Sequence, residues 1–249
     1  MALYFYRKQN NSPTKKLINY LSYISLSIGS FLLFWAFYPI ISFEIYSRVF
    51  LSRQIKTPVI MNDINKSINN GLVLGKFNIF SNNLSDFTNV DLWFPSVSKE
   101  KSDQKFLGKE YFLSIPKLNI KDAKVLVGGE DLSKGLIHYL PKTMPGELGN
   151  VAIFGHSTLP QLYKPNDYKS IFTFLPSLQR NDKIFVKVND IVYQYEIFEM
   201  FVVDPSEISV LNQEFDASYL TLITCVPPGT YWKRLVVKAK LVPFSMNLD

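Results

Sequence analysis

YLTLITCVPPGTYWKRLVVKAK, residues 219–240, is the stretch whose reading decides the fold, and it holds the only cysteine of the chain. Two runs of β-branched and apolar residues, 219–226 and 235–242, flank a Pro-Pro-Gly-Thr break, so the pattern predicts strand, loop, strand. Cys225 then ends the first strand and Arg234 opens the second. A thiol facing a guanidinium across such a loop suits nucleophilic chemistry, although an ordinary buried thiol beside a surface arginine would give the same pattern.

Outward from this hairpin, the chain of 249 residues is long enough for one domain with a sizeable core plus additional segments. Its net charge of +6 invites a nucleic-acid reading that the distribution removes. Residues 1–50 carry Arg7, Lys8, Lys15, Lys16 and Arg48 against Glu44, which is +4 of the +6. The remaining +2 over some 200 residues leaves no basic nucleic-acid face. One cysteine excludes an internal disulfide and a multi-cysteine metal cluster, and with two histidines no structural zinc site is expected.

Residues 17–43, LINYLSYISLSIGSFLLFWAFYPIISF, hold no charge and are long enough to cross a bilayer as a helix. Lys15 and Lys16 lie just before the run, and only Glu44 and Arg48 follow closely. By the positive-inside rule, 1–16 is a cytoplasmic N-terminus and everything beyond 43 is extracytoplasmic. A cleaved signal peptide fits less well, because the apolar run exceeds an h-region and no small-x-small site follows it. No second apolar span precedes Asp249, so the C-terminus is expected outside the membrane. Residues 44–105 read as an extracytoplasmic arm that is rich in Asn, Ser and Lys from 57 onward and shows no sustained period. One island, Asp91-Leu92-Trp93-Phe94-Pro95, is too apolar for a solvated linker and reads as a patch that docks on the folded domain or gates a site.

From residue 106 to 249 the character is mostly β. Candidate strands are 111–118, 121–127, 151–155, 183–188, 191–203, 220–226 and 235–242. Asn189-Asp190 suits a tight hairpin, and 171–179 is the best candidate for a short helix. Two histidines are available to Cys225. His156 closes the run Val-Ala-Ile-Phe-Gly-His at a strand end, and His138 lies in GLIHYLP, a loop by this reading. A cysteine nucleophile needs a proton shuttle and a donor for the oxyanion, roles that His156 and Arg234 would fill. Taken one at a time, each residue reads first as structural, since free thiols pack as small hydrophobes and a histidine at a strand end is commonly a satisfied surface residue.

Three local motifs resemble the sortase family. Leu220-Thr-Leu-Ile-Thr224-Cys225, with Arg234 following, resembles the TLxTC signature. Pro145-Gly146-Glu-Leu-Gly149-Asn150 through Gly155-His156 is similar to the segment that delivers the family's histidine, and Ser114-Ile-Pro116-Lys-Leu-Asn-Ile120 to its opening strand. Ser157 stands where many members have arginine, and the loop 158–170 is longer than usual. The proline and glycine after the cysteine resemble the class C and D subfamilies.

The resemblance implies a closed eight-stranded β-barrel with short helices, preceded by the transmembrane helix. It also implies a cysteine transpeptidase whose catalytic residues are His156, Cys225 and Arg234, with Thr224 assisting substrate binding and with neither metal nor organic cofactor. The expected partners are exported proteins bearing a C-terminal LPxTG-like sorting signal and an amine acceptor, either a cell-wall peptide or a pilin lysine. A hydrolytic relative, or a barrel that binds sorting signals without catalysis, is the alternative. Pilus-type members place a lid upstream of the first strand, which makes Asp91 and Trp93 lid candidates here.

Overall fold

The computed structural model describes residues 13–50, 89–90, 93–94 and 108–243. Among the described residues one α-helix, α1 (Pro13–Phe50), precedes eight strands. These are β1 (Glu110–Ile115), β2 (Ile120–Val127), β3 (Leu136–Tyr139), β4 (Gly149–Phe154), β5 (Lys183–Val188), β6 (Ile191–Val203), β7 (Ser218–Val226) and β8 (Lys233–Leu241). They close into a barrel in the order β1-β2-β3-β4-β7-β8-β6-β5. Closure leaves no sheet edge open, which suits a small all-β domain.

Two strand pairings bring distant residues to one rim of the barrel. β4 and β7 run parallel, from Gly149 opposite Ser218 to Phe154 opposite Ile223, so the chain leaves both strands at the same rim. β7 and β8 are antiparallel neighbours, and their register sets Cys225 directly opposite Arg234.

Strand pleating divides the apolar side chains into two clusters, because successive residues point to opposite faces. Val151, Ile153, Leu220, Leu222, Leu235 and Val237 fill the barrel interior. The alternate residues, Ala152, Phe154, Ile223, Cys225 and Val236, form an outer layer covered by Val90, Trp93, Phe94 and Leu132. Every residue of β7 is buried as a result, since both of its faces are packed. β6 joins both layers through a bulge between Ile197 and Glu199, which moves Phe201 and Val203 to the outer side. One added residue reverses the parity of all that follow it.

Seven of the strands fall where the sequence places them, and the Asn189-Asp190 turn joins β5 to β6 with Val188 opposite Ile191. β3 is the addition. The sequence reading treats Leu136–Tyr139 as loop, but the four residues pair parallel with β2 and antiparallel with β4. Four residues bounded by Gly135 and Pro141 are too few to show an alternation, and all four are buried, so no polar face marks the strand. The expected helix over 171–179 contracts to a single 3-10 turn at Leu175–Ser177, where Pro176 supplies no backbone donor.

α1 has a candidate membrane span, Lys16–Ser47, with a mean hydropathy of 1.8. Its far end touches the barrel: Phe43 is 8% exposed and packs with the interior cluster, and Ser47, one turn on, is also buried.

Candidate active site

His156 reaches the shared rim because β4 ends two residues before it. Gly155 makes the exit tight. A Cβ at this position would lie 2.4 Å from the Phe172 ring and 2.6 Å from Leu136, so no larger residue fits without repacking. The Gly155 N–H still donates to the Ile223 carbonyl, which continues the parallel ladder one residue past the strand.

Two hydroxyls then bind the two strand ends together. Thr224 Oγ1 donates to the Gly155 carbonyl at 2.8 Å, and Ser157 Oγ donates to the Cys225 carbonyl at 2.6 Å. The residues on either side of His156 are thus tied to Thr224 and Cys225 themselves. The sequence reading notes Ser157 only as a departure from the usual arginine; its contact lies 68 positions away along the chain, and no local pattern reveals it.

Thr224 faces the barrel interior. It shares the inward parity of Leu222 and Val226, is fully buried, and its hydroxyl is engaged by Gly155. Its neighbour Cys225 points to the opposite face. His138 is likewise turned away. It has the parity of Leu136, is 1% exposed, and meets the Tyr111 ring edge-on at 6.0 Å inside the barrel. Burial pushes its imidazole down to about 3, so it is neutral at ordinary pH.

Arg234 is 4% exposed, an unusual setting for a guanidinium. Three carbonyls hold it: Nη1 donates to Tyr231 at 2.9 Å and Lys233 at 3.2 Å, and Nη2 donates to Trp93 at 3.0 Å. The Trp93 ring also lies under the guanidinium at 5.3 Å, and Phe94 lies at 6.0 Å. The Trp93 ring is also 5.6 Å from the His156 ring. Trp93 therefore touches both His156 and Arg234, on the outer layer that includes Cys225. Of the two lid candidates, Trp93 docks on the site, and Asp91 lies outside the described residues.

This cover sets the electrostatics. Burial pushes the Cys225 thiol up to about 11, only partly opposed by the Arg234 charge. Burial pushes His156 down to about 4, with Asp131 acting in the opposite sense. Desolvation likewise lowers Arg234 from its usual range. At neutral pH the covered site holds a thiol and a neutral imidazole beside a guanidinium, not a thiolate–imidazolium pair. Among the described residues no group of three or more His, Cys, Asp or Glu side chains forms a metal-binding cluster.

A family model described as a sortase domain matches residues 113–242. The chain belongs to the sortase family. Sortase D of Bacillus subtilis is 27% identical over 135 residues, which are 52% of this chain and 62% of that protein. Sortase SrtE1 of Streptomyces coelicolor is 30% identical over 146 residues, 52% of this chain and 39% of that protein. The match spans less than two thirds of the length of each. Among solved structures, a Clostridium perfringens Sortase D5 transpeptidase is 28% identical, covering 64% of this chain and 98% of that one with a TM-score of 0.47. The region that matches the sortase domain includes His156, Cys225 and Arg234, along with both hydroxyl ties.

Proposed function

We propose that this sortase is a membrane-anchored, extracytoplasmic cysteine transpeptidase that cleaves an LPxTG-like sorting signal and passes the cleaved protein to an amine. The observation that carries this reading is the register. A parallel β4–β7 pair delivers His156 and Cys225 to one rim, and the β7–β8 pair sets Arg234 across from Cys225. Family membership agrees with it.

The steps follow from the three groups. Cys225, deprotonated by His156 once the site is uncovered, attacks the carbonyl carbon of the threonine in the signal. The carbonyl π electrons move to oxygen, and Arg234 Nη2 donates to that oxyanion. A charged donor in a partly desolvated groove is worth roughly 3–4 kcal/mol, about two to three powers of ten in rate. The oxyanion collapses, the threonine–glycine C–N bond breaks, and protonated His156 gives its proton to the departing amine. A thioester remains on Cys225. An incoming amine, deprotonated by His156, attacks the thioester carbonyl, forms the new amide and releases the thiolate. Every atom and electron pair comes from the peptide, the amine and these three side chains.

The covered state supports the assignment of Arg234. Its Nη2 already holds a peptide carbonyl, that of Trp93. We take this carbonyl as a stand-in for the substrate's, and Trp93 with Asp91 as a lid that must leave before substrate enters. Thr224 and Ser157 hold the two strand ends in register.

Intact-mass measurement of the full chain in detergent with a library of LPxTG-like peptides, with and without added amines, tests the reading. An acyl adduct on Cys225 that is converted to amide when amine is present is the expected result. An adduct released only as acid marks a hydrolase. Peptide affinity without any adduct marks a binding barrel, and an adduct that persists in Cys225→Ala refutes the nucleophile.

A further inference from the structure

Between the outer end of α1 and the barrel runs a groove of about 680 Å3. Trp35, Tyr38 and Phe43 line it from the helix, and Pro160, Phe174 and Pro228 line it from the barrel. Its barrel wall comes from two loops that begin at the candidate site. Pro160 lies four residues beyond His156, and Pro228 three beyond Cys225. The loops pack on one another, with Gly229 so close to Leu159 that an added Cβ would lie 2.7 Å from its Cγ.

The helix side of the groove fixes the depth. At 1.5 Å per residue, Trp35 and Tyr38 lie about 12 and 7.5 Å before Phe43 along the helix axis. Both fall inside the uncharged run 17–43, the part read as crossing the bilayer. Barrel atoms that line the same groove as Trp35 and Tyr38 therefore reach the level of the headgroups and the first acyl carbons. Their composition is mixed in the way that level requires: Pro160, Pro176, Pro228 and Phe174, which is 41% exposed, stand beside the polar Gln161, Thr173 and Ser177. On the same loops Leu162 and Trp232 are exposed at 62% and 57%. Apolar and aromatic side chains standing out of loops beside a membrane helix are costly in water and favoured at the headgroup boundary.

We infer that this face of the barrel rests in the outer leaflet and that the groove takes phospholipid acyl chain. The inference rests on the membrane-anchor reading of α1. It makes the barrel a membrane-seated domain and not one held off on the 44–105 arm. His156 and Cys225 then open close above the leaflet, where a substrate still tethered in the membrane presents its emerging segment.

The test is the full chain in phosphatidylcholine nanodiscs containing a fraction of phosphatidylcholine with a diazirine on its acyl chain. After photolysis, crosslinks are mapped by peptide mass. Crosslinks in 159–163, 173–177 and 227–232, in addition to α1, are expected, and Phe174→Asp should reduce those in the barrel by about tenfold while leaving α1 labelled. Phe174 is exposed enough that this change leaves the core intact. Label confined to α1 overturns the inference and leaves the anchor standing. Label spread evenly over the barrel, the Asn189-Asp190 turn included, overturns it as well. Absence of label from α1 overturns the anchor reading and the inference together.

Discussion

Replacing Trp93 by alanine should speed alkylation of Cys225 by about tenfold, and the size follows from the structure. With Trp93 in place the thiol is pushed up to about 11 by burial, against an ordinary value of 9.0. At pH 7.5 the thiolate fraction is then about three in ten thousand, whereas a thiol returned to 9.0 would be about three per cent ionised, a hundredfold gain. A less basic thiolate is also a weaker nucleophile. With a Brønsted coefficient of about 0.4–0.5, that drop in basicity cancels six- to tenfold of the gain. About tenfold remains, before any benefit from uncovering the sulfur. The measurement is the pseudo-first-order rate of iodoacetamide labelling, followed by intact mass from pH 6 to 11 in the parent chain and in Trp93→Ala. The midpoint of the pH profile should move down toward 9 as the rate at pH 7.5 rises. Trp93→Phe, which keeps an aromatic ring against His156 and the backbone carbonyl on Arg234, should stay near the parent. Equal rates and an unmoved midpoint in Trp93→Ala would show that Trp93 does not control the ionisation of the thiol.

Two further outcomes test the packing around the site. In the folded chain His138 stays neutral down to about pH 3, whereas the unfolded chain protonates it below about 6.5. The unfolded state therefore binds more protons in that window, and stability falls as the pH is lowered through it, by roughly 1.4 kcal/mol per pH unit from this group alone. His138→Phe should lose that part of the acid sensitivity in urea unfolding, and parallel pH curves for the two proteins would refute the assignment. Thr224→Val keeps the shape of the side chain but leaves the buried Gly155 carbonyl without its hydroxyl donor, and should cost about 1–3 kcal/mol in the same assay. An unchanged midpoint would mean that the tie between the strand ends contributes nothing.

The pairing of Cys225 with Arg234 was legible because both lie in one hairpin, where a Pro-Pro-Gly-Thr break and two β-branched runs fix the register locally. The Asn189-Asp190 turn and the uncharged run of α1 are legible for the same reason: the signal and the structure lie within a few residues of each other. The candidate role of His156 came from a motif and not from periodicity, and its proximity to Cys225 depends on a parallel pair whose strands are more than 60 residues apart. Ser157 escaped the sequence reading because a hydroxyl donating across that distance leaves no local trace.

What the sequence determined by itself is the long helix, seven of the eight strands and the candidate residues His156, Cys225 and Arg234, since propensity, turn chemistry and charge act over short range. Only the tertiary structure decided which face each residue meets. Closing the barrel turns alternate residues of one strand toward opposite surroundings, so Thr224 and His138 point into the interior while Cys225 points out. The same closure builds the outer layer on which Trp93 rests against both His156 and Arg234. Burial under that layer, a property of no single segment, is what holds the thiol high and the imidazole low.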